Sequence, residues 1–129
     1  MEILAGLDDR PSGFAVAELT LPAGFPGPPP HAHDTFDEGI YVLEGSILVV
    51  SDGEPTVAGP GSLFIAPRGE RHGFSNPSSE PARVLGLWGP AGPAMELMEA
   101  VGAVLPAQGP PDMDRMRAVY ESHGSRIVP

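Results

Sequence analysis

Apolar runs of five to eight residues carry the chain from residue 14 to residue 88, each closed by glycine, proline or a polar pair. FAVAELTL (14–21) is rich in β-compatible residues and predicts a first strand. PAGFPGPPP (22–30) cannot be helix and would make a poor central strand, so it predicts a loop or an extended lead-in. GIYVLEG and SILVV predict two further strands, broken at Glu44–Gly45. Asp52–Gly53 is a hairpin signal between SILVVS and EPTVA. GPG (59–61), PRGE (67–70) and NPSSEP (76–81) turn the chain into SLFIA, RHGFS and ARVLGLW. Strands and turns at this near-regular spacing predict an all-β sandwich or barrel.

The period changes after Trp88. In AMELMEAVGAV (94–104), Met95, Met98, Val101 and Leu105 fall at helical spacing. In DMDRMRAVYESHG (112–124), Asp112 is an N-cap candidate and Gly124 a C-cap candidate. Met113, Met116, Val119 and Tyr120 share one side of that helix. PAQGPP links the two. The expected organisation is one domain, with a β body over residues 1–90 and a helical extension over 91–129 packed on it.

Composition narrows the function. A chain of 129 residues can bury a core without staples. It has no cysteine, which removes disulfide frameworks, cysteine zinc sites and thiolate chemistry. Seven arginines, no lysine and seventeen acids give a net charge of −10. That balance disfavours nucleic-acid binding, and the missing lysine excludes Schiff-base chemistry and a P-loop. The apolar start of MEILAGLDDRP is too short for a signal segment and runs into Asp8 and Asp9, and no stretch approaches the length of a membrane span. The expectation is a soluble, cytoplasmic protein with a small-molecule substrate and neither nucleic acid nor membrane as partner.

HAHDTFDEGIYVLEG (31–45) carries the candidate chemistry. On a strand, His31 and His33 put both imidazoles on one face, about 6.5 Å apart along the chain. Glu38 lies five residues beyond His33 and can join them only if the chain turns at DTFD. Two histidines and a carboxylate are a familiar metal-ligand set. A further ligand would come from His72, on a turn before a strand, or from His123, whose place at a helix end suits a structural role.

Here the sequence resembles a known family. His31, His33, Glu38 and Gly45 match the first motif of the cupins: H-x-H, four residues, E, six residues, G. Gly61, Pro67, Gly69, His72 and Asn76 match the second: G, five residues, P-x-G, two residues, H, three residues, N. Fifteen residues separate Gly45 from Gly61, as in small microbial cupins. Phe25 departs from the pattern, standing where many members have glycine six positions before the first histidine. The resemblance covers roughly residues 14–88, and the tail is similar to extensions of some quercetin-dioxygenase-like single-domain cupins.

The resemblance implies a small double-stranded β-helix, or jelly-roll, barrel of two antiparallel sheets with a two-helix C-terminal extension. It implies one divalent metal ion (Fe, Mn, Ni, Co, Cu or Zn) held by His31, His33, Glu38 and His72. It also implies a dioxygenase-like enzyme in which Glu38 is ligand and general base together, acting on an apolar enolisable or aromatic substrate. The alternatives are a Lewis-acid isomerase, cyclase or decarboxylase, and a module that binds a small ligand without turnover. Alternation along the strand places Ile40 and Val42 on the face of Glu38, and Phe74 on that of His72, as pocket wall or plain core. Trp88 roofs a pocket or, more simply, anchors the tail. The methionines of the tail serve as a lid, an ordinary helix face or a dimer contact. Arg68 and Arg71 are solvated or pair with an anionic substrate. A homodimer is expected, because exposed edge strands are liabilities that pairing covers.

Overall fold

The computed structural model describes residues 1–5 and 13–129; the stretch holding Asp8 and Asp9 lies outside the described residues. The strands are β1 (Glu2–Ala5), β2 (Ala15–Leu21), β3 (His31–His33), β4 (Asp37–Glu44), β5 (Ile47–Val50), β6 (Thr56–Ala58), β7 (Leu63–Ala66), β8 (Gly73–Ser75) and β9 (Ala82–Gly89). Helices α1 (Ala91–Val104) and α2 (Met113–Ser122) follow, and then a last strand, β10 (Ser125–Ile127). Among the described residues no helix is long and apolar enough to cross a membrane.

Two layers form the barrel. One is a five-stranded antiparallel sheet in the order β1-β2-β9-β4-β7. The other joins β6-β5-β8 to β3-β10 through a bridge between His31 and His72. Each of those histidines donates its backbone N–H to the other's carbonyl, at 2.9 and 2.8 Å. Alternation works as the sequence predicts: Glu38, Ile40 and Val42 are buried, while Tyr41 is exposed. Leu21, Ile40, Val42, Ala82 and Val84 of the first layer meet Ile47 and Val49 of the second in one apolar cluster.

A second cluster lies under the helices. It gathers Ala15, Ala17, Phe36, Trp88, Ala91, Ala94, Leu97, Met116, Tyr120 and Ile127. Phe36 is fully buried there, and truncation to alanine would cost about 3–5 kcal/mol. Met116 belongs to this core, Met95 and Met98 pack against it, and Met113 stays exposed.

Several boundaries differ from the sequence reading. α1 begins at Ala91, not residue 94, because Pro93 falls in its first turn, where a missing N–H leaves no bond unmade. α2 is capped as expected: Asp112 accepts from the N–H groups of Asp114 and Arg115, and Gly124 follows the helix at φ +72°. Asp52–Gly53 lies within the β5–β6 connection, but Gly53 is not at positive φ and the loop runs over residues 51–55, longer than a two-residue hairpin turn. β1 and β10 were not expected at all. Gly45, the glycine closing the first motif, has φ +75°, and a Cβ there would stand 2.7 Å from the Pro81 carbonyl oxygen, so no other residue fits without strain.

Candidate metal centre

The three-residue strand β3 holds His31 and His33, and the bend at Asp34–Thr35 returns the chain as β4 with Glu38 on its inner face. His72 arrives from the other layer through its bridge to His31. One ligand atom from each of the four lies within 4.8 Å of the other three, and all four side chains are buried. The cluster could hold a metal ion. His123 is not among them; its Nδ1 donates to the Val119 carbonyl at 2.8 Å, at the end of α2.

The donor chemistry fits a cation. His31 Nδ1 lies 2.8 Å from the Pro29 carbonyl, and His72 Nδ1 lies 3.1 Å from the Glu70 carbonyl. Carbonyls only accept, so both Nδ1 atoms carry the proton and Nε2 is the nitrogen left free to face a cation. His33 Nδ1 pairs with the buried Ser125 hydroxyl at 2.7 Å. Fixing the far nitrogen of a ligating imidazole in this way is a recurrent feature of metal sites. Toward the interior, Glu38 Oε2 contacts His72 Nε2 and lies 3.9 Å from His33 Nε2.

Burial lowers the proton affinity of His31, aided by the neighbouring His72. Burial likewise brings His33 down to about 3, against the pull of Glu38. Both rings are therefore neutral near pH 7. Burial alone would raise Glu38 and lower His72, but their mutual hydrogen bond and attraction outweigh it, leaving Glu38 lowered and His72 raised. In the absence of metal this pair shares a proton as an ion pair.

An aromatic wall surrounds the imidazoles. The Phe36 ring stacks on His33 with centroids 4.2 Å apart, and Tyr120 of α2 stands edge-on to His31 at 5.3 Å. Burial and Glu38 push the Tyr120 phenol up to about 12, so it stays protonated. Ile40 and Val42 point inward like Glu38 but belong to the other apolar cluster, against which Phe74 packs. Trp88 sits among the residues under the helices, and its indole N–H donates to Glu38 Oε1 at 2.7 Å. Arg68 pairs with Asp37 through two side-chain bonds of 3.2 and 3.1 Å, and Arg71 donates to the Val128 carbonyl. Asn76 of the second motif is wholly buried; it donates to the carbonyls of Leu21 and Glu80 and accepts from Ser78, tying loops together.

Sequence reasoning missed Phe36, Tyr120 and Ser125 as neighbours of the cluster. Phe36 lies inside the first motif and could have been read from its position between His33 and Glu38. Ser125 carried no signal, because a three-residue strand has no detectable period.

A buried cluster of three imidazoles and a carboxylate, set between the two layers of a small β-barrel, defines a class. Residues 17–88 match the cupin domain, and the chain belongs to that family. Among particular proteins, it is 32% identical over 83 residues to the tetracenomycin polyketide synthase protein TcmJ of Streptomyces glaucescens, matching 63% of this chain and 56% of that one. It resembles the sugar phosphate isomerase of the cupin superfamily from Silicibacter pomeroyi at 30% identity and a TM-score of 0.57, over 60% of this chain and 51% of the other. It also resembles KdgF from Halomonas sp. at 26% identity and a TM-score of 0.63, over 73% and 80%. The chain thus spans only about half the length of the first two relatives.

Proposed function

We propose that this cupin is a metal-dependent enzyme acting on a small, apolar, enolisable or aromatic molecule. One observation carries the reading: three imidazoles presenting Nε2 and one carboxylate converge in a buried cluster, with the outer nitrogens already bonded to protein. His31, His33, Glu38 and His72 are the proposed ligands. A divalent ion held there would act as a Lewis acid on a substrate oxygen, acidifying the adjacent C–H. The rest of the work falls to the chain. Phe36 and Tyr120 exclude water and offer flat apolar surface, and Glu38 Oε2 is placed to take and return a proton.

Lewis-acid chemistry without oxygen, meaning isomerisation, cyclisation or decarboxylation, is the reaction class we favour. Similarity to a sugar phosphate isomerase supports it. Dioxygen addition to the same activated substrate is the second reading, supported by the aromatic wall, which would shield a reactive intermediate. Protein loaded with Mn, Fe, Co or Ni and given flavonols or other enolisable aromatics separates them. Anaerobic conversion lost in Glu38→Ala supports the first, and O2 uptake lost in the same variant supports the second. Binding without any conversion leaves a ligand-binding module. We further propose a homodimer formed through the outer face of the five-stranded sheet, where Phe14, Leu63 and Ile65 are exposed.

A further inference from the structure

We propose that Trp88 is a positioning residue of the metal centre: its indole N–H holds Glu38 so that Oε2 faces the imidazoles, and Gly86 provides the seat that holds the indole. The inference rests on the metal-centre reading and adds to it two residues that are not ligands.

The pairing of strands sets the geometry. Glu38 and Trp88 are direct cross-strand partners in the β4–β9 register, so both side chains stand on the inner face of the sheet. Trp88 is 7% exposed, and Nε1 lies 2.7 Å from Glu38 Oε1. A bond from a buried N–H to a carboxylate is among the stronger neutral-to-ion contacts. The terminal torsion of a glutamate is broad and nearly two-fold, so a free carboxylate would present either oxygen, or both, to the imidazoles. With Oε1 committed to the indole, Oε2 is the oxygen left facing His72 and His33.

The indole has little choice of position. Gly86 precedes it by two residues on the same face of β9, and the benzene half of the ring lies over it. A Cβ at residue 86 would stand 2.3 Å from Cη2 and 2.8 Å from Cζ2 of Trp88. Side chains do not approach so closely, so a Cβ there would force the ring to shift and with it the N–H that meets Glu38. Gly86 is not at positive φ; what it supplies is space. The chain from Gly86 to Trp88 to Glu38 leads from the β9 backbone to the centre. A Trp88 that merely packs would need the seat but not the bond.

Full-length protein titrated with Co(II) tests this. Trp88→Phe keeps the apolar ring and removes only the N–H. Supporting partners of metal ligands are typically worth about 10–100-fold in metal affinity, and a loss of that order is expected. The visible spectrum of bound Co(II) should change as well, while the metal-free variant still unfolds cooperatively. Gly86→Ala keeps the N–H and blocks its seat, and should weaken Co(II) binding in the same direction. It carries the test if Trp88→Phe does not fold. Affinity and spectrum equal to wild type in a folded Trp88→Phe, or in Gly86→Ala should the other not fold, would overturn the proposal and leave the metal centre standing. A wild-type protein that takes up no Co(II) would overturn the metal-centre reading, and this proposal with it.

Discussion

Ser125 Oγ lies 2.7 Å from His33 Nδ1, a buried contact across 92 positions of sequence. It exists because β10 pairs with β3, with Ser125 opposite His33 and Ile127 opposite His31. The last strand thus lies outside the matched residues 17–88 and still touches a proposed ligand. Ser125→Ala should weaken metal binding by about 10–100-fold, since His33 loses the group that orients it. It should also destabilise the metal-free protein by about 1–3 kcal/mol, the usual cost of stranding a buried polar atom. Ser125→Thr, which keeps the hydroxyl, should restore much of both. Calorimetric titration and thermal unfolding check this; equal affinity in wild type and Ser125→Ala would refute it.

The ligand assignment separates two histidines that composition treats alike. His72→Ala should lower metal content strongly, and His123→Ala should leave it near one ion per chain. Elemental analysis after dialysis decides, and equal content in the two variants would remove His72 from the set.

Acidity should act in two directions. His33 is lowered to about 3 in the fold from an ordinary 6.5, and His31 is lowered too. The unfolded chain takes up those protons first, so metal-free stability is full above about pH 6.5 and falls as pH drops toward 3. Glu38, lowered by His72, adds to the same acid limb. His72 is raised, so its contribution is present below about pH 6.5 and fades as pH rises through its higher folded value. Thermal unfolding of the metal-free protein should therefore peak near neutrality. Metal uptake must displace the proton shared by His72 and Glu38, so affinity should climb as pH rises through and above 6.5. An affinity flat from neutral pH down to about 5 would remove His72 from the proposed ligands, since it alone of the three imidazoles is raised.

The dimer prediction has a definite surface. Phe14, Leu63 and Ile65 are 71%, 57% and 52% exposed, and a groove of about 500 Å³ runs among them and Leu87. Clustered exposed apolar residues on a sheet face mark an association surface. Light scattering should report a dimer for the wild type and a monomer for Leu63→Glu/Ile65→Glu, with Met113→Glu unaffected. A monomeric wild type at high concentration would discard the surface.

The arrangement of the proposed ligands was legible in different degrees. His31, His33 and Glu38 are close in sequence, and one turn brings them together, so spacing alone revealed their relation. His72 stood beside His123 as a candidate, and the second motif singled it out, because its approach is a pairing between layers that local pattern does not encode. Trp88 looked like an anchor for the tail; strand register made it a partner of Glu38 as well. Ile40 and Val42 share the inner face with Glu38, as alternation predicts, and pack in the apolar cluster with Ile47 and Val49.

By itself the sequence determined the strand periodicity, the caps of α2, the glycines where backbone must turn or approach closely, and the residue types of the candidate cluster. These are local properties, fixed by side-chain alternation, capping chemistry and φ preference. Only the tertiary structure decided that Ser125 meets His33, that Tyr120 and Phe36 wall the imidazoles, and that Trp88 rests on Gly86 beneath Glu38. Those relations depend on register and packing between segments far apart in the chain. Non-local pairing leaves no period in the sequence, because each partner obeys its own local pattern wherever the other is placed.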